Sequence, residues 1–172
     1  MKRPETIEYK EDYEDYISLV GENDIVSAMQ KQLTEVENLF ASISEEKSEF
    51  AYAEGKWTIK ELLGHLIVGE RVFSYRALRI AHGDETPLPG MEQDLFIANG
   101  NYNSRSLADL VEEFLYVLRA DLIFFQNLTD EAWARTGTAN DHRVSVSALA
   151  YNMVNHIRHH LDGLRLHYLN EK

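Results

Sequence analysis

Thr58-Ile59-Lys60-Glu61-Leu62-Leu63-Gly64-His65-Leu66-Ile67 reads as the opening of a long helix. Thr58 followed three residues later by Glu61 forms a capping box, in which each side chain satisfies an N-terminal backbone N–H. Behind the cap, Ile59, Leu62, Leu66, Phe73, Ala77 and Ile80 make one apolar stripe at helical spacing. Gly83, followed by Pro87 and Pro89, ends it. His65 falls on a flank of the stripe, near Leu62, Val68, Gly69 and Val72, so it borders the core without interrupting it.

The same period recurs along the chain. Ile25, Met29, Leu33, Val36, Phe40 and Ile43 predict an earlier helix behind the break at 21–24, capped by Asn23 or Asp24. Leu107, Leu110, Val111, Phe114, Leu118, Leu122 and Phe125 predict a third, starting near Ser106. Val146, Ala150, Val154, Ile157, Leu161, Leu164 and Tyr168 predict a fourth over about 145–169. Tyr9, Tyr13, Tyr16 and Ile17 suggest a short extra helix, and 128–134 a helical turn around Trp133. Residues 135–143 read as a polar loop, and no run of alternating strand residues stands out. Four long amphipathic helices in 172 residues imply an all-α bundle in one domain, 1–172.

Residues 82–105 form a long irregular stretch in which 94–98 can make a helical turn. Loops of that length are often functional, and Phe96, Asn99, Tyr102 and Asn103 suit the wall of a pocket.

Composition removes several function classes. A net charge of −12 without a basic run disfavours nucleic acid and anionic membrane as partners. No apolar run is long enough to span a membrane, and no signal peptide is legible, which fits a cytoplasmic protein. The absence of cysteine rules out disulfides, a thiolate nucleophile and Cys-ligated zinc. Any thiol chemistry needs a thiol brought from outside.

The chemistry-bearing cluster is Asn155-His156-Ile157-Arg158-His159-His160. His156 and His160 stand four apart, one helical turn, on a flank shared with Leu149, Met153 and His167. His159 turns away with Asn152, Asn155 and Asp162. With His65, 91 positions upstream, they would make three neutral imidazoles with a fourth position open, the ligand set of a catalytic zinc-type site. The spacing equally suits half-buried histidines that hold no ion. Glu70, five residues after His65, can serve as a base or as an acceptor behind a ligand, or simply be an exposed helix carboxylate. Asp121, interrupting the third stripe between Leu118 and Leu122, can approach the site or be an edge carboxylate; Trp57 reads as a staple at the helix start, and His142 and His167 as weaker site candidates.

The stretch 52–67 resembles the second-helix signature of the DinB/YfiT-like superfamily. Residues 70–79, Thr86-Pro87-Leu88-Pro89-Gly90, Gly137-Thr138-Ala139-Asn140, Tyr16-Ile17 with Val20, and His156 with His159-His160-Leu161 extend the resemblance over nearly the whole chain. Glu54 and Asn155 depart from it, and neither is a ligand position. The resemblance implies a four-helix bundle in up-down-down-up order and a divalent metal, nickel or zinc, on His65, His156 and His160. It also implies a homodimer and a metal-dependent hydrolase or thiol S-transferase that takes a small-molecule substrate, in the second case with a low-molecular-weight thiol. A non-catalytic bundle with a structural metal or dimer interface is the alternative.

Overall fold

The computed structural model describes residues 24–170. The expected extra helix at Tyr9, Tyr13, Tyr16 and Ile17 lies outside them. The described elements are α1 (Ile25–Ala41), α2 (Glu45–Ser48), α3 (Ile59–Ala81), α4 (Gln93–Gly100), α5 (Leu107–Gln126), α6 (Asp130–Ala134), β1 (Thr136–Ala139), β2 (His142–Ser145) and α7 (Val146–Gly163). A π-helical turn, Leu164–Leu169, continues α7.

Side chains set the helix starts. Asp24 caps α1, Ser106 caps α5 and Ser145 caps α7, each accepting from a first-turn N–H. Both halves of the Thr58–Glu61 capping box form on α3. Glu45 ties three elements together: it accepts from the Leu107 N–H at 2.8 Å and meets the buried Lys60 Nζ at 2.6 Å. That ammonium also reaches Glu49 at 3.5 Å, so its charge is paired within the fold.

The order of the four long helices follows from what their ends bury. One core cluster joins Ile25 and Ala28 at the start of α1, Ile80 and Ala81 at the end of α3, Phe125 at the end of α5, and the first half of α7. The other joins Leu39 and Phe40 at the end of α1, the start of α3, Leu107 to Leu115 at the start of α5, and Ile157 and Leu161 of α7. Thus α1 and α7 run one way and α3 and α5 the other: up, down, down, up. Around the bundle, α1 packs on α5 and α7, and α3 packs on α5 and α7. The second and fourth long helices are therefore direct neighbours.

The structure corrects two readings of local sequence. Residues 135–143 are not a plain loop: β1 and β2 pair antiparallel, Thr136 with Ser145 through Ala139 with His142. Asn140 and Asp141 both take positive φ (51° and 63°), as a two-residue hairpin turn with the native strand twist requires. Leu88 joins this hairpin, donating to the Thr138 carbonyl and accepting from the Asn140 N–H, both at 2.9 Å. The polar flank of α7 faces solvent only in its second half: Asn152 and Asn155 are buried, while His159 and Asp162 are exposed. Among the described residues no helix is long and apolar enough to cross a membrane.

The stretch 82–105 contains α4 and a 3₁₀ turn, Tyr102–Ser104. Tyr102 is buried. Its ring lies over Gly64 so closely that an added Cβ would stand 2.4 Å from Cγ. Asn103 Oδ1 accepts from the Thr58 hydroxyl at 2.7 Å. A methyl at Gly64 would displace Tyr102 and disturb the turn before His65. We expect Gly64→Ala to cost about 1–3 kcal/mol in urea unfolding, whereas helix propensity alone calls for a gain of about 1 kcal/mol.

Candidate metal centre

His65 lies early in α3, behind the Thr58–Glu61 cap that fixes the helix start. His156 and His160 lie on successive turns of α7. The side-by-side packing of α3 and α7 brings all three rings together. His65 Nε2 is 2.9 Å from His156 Nε2 and 3.1 Å from His160 Nε2. One nitrogen from each ring falls within 4.8 Å of the others. His159 is exposed and outside the cluster, as its place on the helix predicts, with its ring edge-on to that of His160 at 5.1 Å.

Three neutral imidazoles carry at most one proton each, and nitrogens this close without a shared proton turn lone pairs on one another. A cation relieves that repulsion. Nitrogens bound at about 2.0–2.1 Å to one ion stand about 3 Å apart, so the donor set fits a divalent transition metal. Burial supplies the right protonation state. It pulls His65 down to about 4, with Asp94 pulling weakly upward. Burial, reinforced by neighbouring histidines, takes His160 to about 3 and His156 well below its ordinary value. All three are neutral at pH 7 and need shed no charge to accept an ion.

Glu70 is not the exposed helix carboxylate that its position allowed. It is 1% exposed, one turn past the His65 level, and its Oε1 stands 4.0 Å from His156 Nδ1. Neither atom has a hydrogen-bond partner among the described residues. For Nε2 to keep its lone pair, Nδ1 of a neutral ring must carry the proton, so Glu70 Oε1 faces a donor. Burial, with Asp121 nearby, raises the Glu70 carboxyl well above its usual range.

Asp121 is not an edge carboxylate either. It is buried, accepts from the Ser74 hydroxyl, and is raised to about 6 by burial against the opposing pull of Ser74 and Arg71. With Glu70 and Gln32 it borders a void of about 10 Å³, room for about one water.

On the opposite side the site opens into a cavity of about 590 Å³ lined by His160, Trp57, Tyr52, Tyr168, Lys56 and Asp94, among others. Trp57 is more than a staple, because its ring lies 4.8 Å from that of His65. His167 lines this cavity and stacks on Tyr52 at 5.0 Å. His142 stands on β2 beside Arg76 and Asn152, away from the triad. Phe96, expected in a pocket wall, is exposed and outside this lining. Tyr52 and Asp94 escaped the sequence reading. Tyr52 precedes the helix cap with no periodic signal, and Asp94 reads as one more surface acid.

Among solved structures, the chain is similar to YfiT from Bacillus subtilis, described as a probable metal-dependent hydrolase with an unusual four-helix bundle topology. The TM-score is 0.75 at 12% identity, covering 99% of this chain and 95% of that one. It is also similar to a mycothiol-dependent maleylpyruvate isomerase, with a TM-score of 0.67 at 15% identity. That match covers 80% of this chain but 58% of the other, which is the longer protein. At such identities the likeness speaks for the fold. No curated protein matches the chain. The DinB superfamily model matches residues 28–162, from early α1 almost to the end of α7. The up-down-down-up bundle is thus that of a known family: the chain belongs to the DinB superfamily.

Proposed function

We propose that this chain is a metal-dependent enzyme in which His65, His156 and His160 hold one divalent ion, nickel or zinc, and in which water or a small external thiol attacks a small electrophile. The observation that carries this reading is the convergence of three neutral imidazole nitrogens, 2.9 and 3.1 Å apart, at the edge of an open cavity. A closed structural site would surround the ion with four protein ligands; here the described residues offer three and a route for a substrate. The similar proteins fit either outcome, since one is described as a probable hydrolase and the other depends on a thiol.

When bound, such an ion lowers the pKa of water from 15.7 to about 7, or keeps a thiol as thiolate, giving a nucleophile at neutral pH. The protein's own groups do the rest. The three histidines donate without charge, so the ion keeps its full positive charge. Glu70 Oε1, 4.0 Å from His156 Nδ1, is placed to favour the tautomer that carries its proton on Nδ1 and leaves Nε2 free. Trp57 packs against His65 and limits its rotation. The chain has no cysteine, so the sulfur of a thiol reaction comes with the co-substrate. The same reading takes the protein to work as a homodimer in the cytoplasm.

Elemental analysis should find about one metal per chain. We expect it to be lost on changing His65, His156 or His160 to Ala, and full retention by the triple variant would sink the reading. Glu70→Gln should weaken metal affinity by about 10–100-fold with little change in fold, read by competition with a chromophoric chelator.

Acid should act on the metal-free protein through the same histidines. Their folded-state pKa values lie below 6.5, with His65 near 4, so the unfolded chain binds more protons in this window. The stability they contribute is complete above pH 6.5 and is lost as pH falls toward 4. Glu70 and Asp121, whose pKa values are raised, act in the opposite direction. A variant with all three histidines changed to Gln retains those carboxyls, so its difference from wild type isolates the imidazoles. Urea unfolding with chelator at about pH 7.5, 6 and 5 should show the wild type losing more stability with acid than the variant.

A further inference from the structure

The walls of the cavity beside the histidines carry a selectivity of their own. We propose that this cavity selects a small substrate bearing an ammonium group, bound between the aromatic wall and the Asp94 carboxylate. The inference rests on the proposed function only in placing the reacting end of that substrate toward the histidines.

The wall is aromatic. Tyr52, Trp57 and Tyr168 line it, and His167 stacks on Tyr52. Tyr168 is held in place by donating its hydroxyl proton to the Trp57 carbonyl at 2.8 Å, and its ring meets Tyr52 edge-on at 4.9 Å. Such faces attract cations through the ring quadrupole. The molecule already shows this, because the Lys56 ammonium lies 5.9 Å from the Tyr52 ring centroid. Lys56 is exposed, on a flexible stem, and can yield that face to a ligand.

The charges point the same way. Besides Lys56, the lining holds two carboxylates, Asp94 and Asp162. Asp162 is engaged by Arg165 at 3.3 Å. Asp94, in the first turn of α4, has no hydrogen-bond or ion-pair partner among the described residues. A carboxylate without a partner beside stacked rings suits an ammonium, and among the described residues Lys56 is the only lysine or arginine in the lining to favour an anion. The chain's net charge of −12 adds a long-range bias toward cationic ligands.

The test uses the full chain, metal-free in chelator at low salt, so it does not depend on the metal reading. Trp57 is one of two tryptophans, and the other, Trp133, is buried in the other core cluster. Tryptophan fluorescence then reports the cavity. The probes are phenethylamine, 3-phenylpropionate and phenethyl alcohol. Phenethylamine should bind about tenfold more tightly than 3-phenylpropionate, and the signal should vanish in Trp57→Phe. Asp94→Asn should weaken the amine about two- to fivefold and leave the alcohol unchanged. Lys56→Ala should tighten the amine and weaken the carboxylate.

Equal or tighter binding of the carboxylate would overturn the proposal, as would amine binding unaffected by Asp94→Asn or weakened by Lys56→Ala. A signal that survives Trp57→Phe, or no amine binding at all, would overturn it too. None of these results bears on the metal content, which the histidine variants report separately.

Discussion

Three imidazole nitrogens aimed at one point set the terms for the surrounding structure. Three imidazole nitrogens do not gather at 2.9 and 3.1 Å unless packing holds the helices that carry them. In this bundle the packing comes from the helix order. Because α3 and α5 both run against α1 and α7, the second and fourth long helices become neighbours along their length. A simple up-down-up-down bundle with short loops would place consecutive helices side by side, and the second and fourth across a diagonal. The long connections at 82–106 and 127–145 are what the exchanged order demands. They are filled by α4, α6 and the hairpin, and so also build the cavity wall and cover the bundle end.

The parts of this arrangement that sequence carries are those with a period or a cap. Thr58 and Glu61, the stripes of the four helices, and the outward turn of His159 all follow from 100° per residue and local hydrogen bonding. The i, i+4 relation of His156 and His160 was legible for the same reason; their meeting with His65 was only an expectation, because convergence is a tertiary fact. The hairpin was missed because four-residue strands give too few alternations to read, and because its turn is Asn140-Asp141 rather than a glycine-containing pair. An acid in a helix is usually solvated, so sequence alone does not reveal the burial of Asp121 and Glu70. Here α3, α5 and α7 close over both.

Those two carboxyls tell something about the interior. Burying unpaired acids is costly, and the cost is reduced when they keep their protons, which is the direction in which both are shifted. Ser74 satisfies one oxygen of Asp121, while Oδ2 of Asp121 and Oε1 of Glu70 have no protein partner among the described residues. The void between them has room for a water, which would satisfy both. The bundle is thus polar directly behind the histidines and aromatic in front of them.

The π-helical turn at the end of α7 has a consequence for how such a site can change over time. A π turn holds about one residue more than an α turn. It sits downstream of His156 and His160 and carries Leu166, His167 and Tyr168 of the cavity wall. Loss or gain of a single residue there would rotate the wall by about 100° while leaving the histidines in register. Part of the cavity wall and the histidine cluster thereby lie on separate stretches of one helix, so a short insertion or deletion can reshape the first without moving the second.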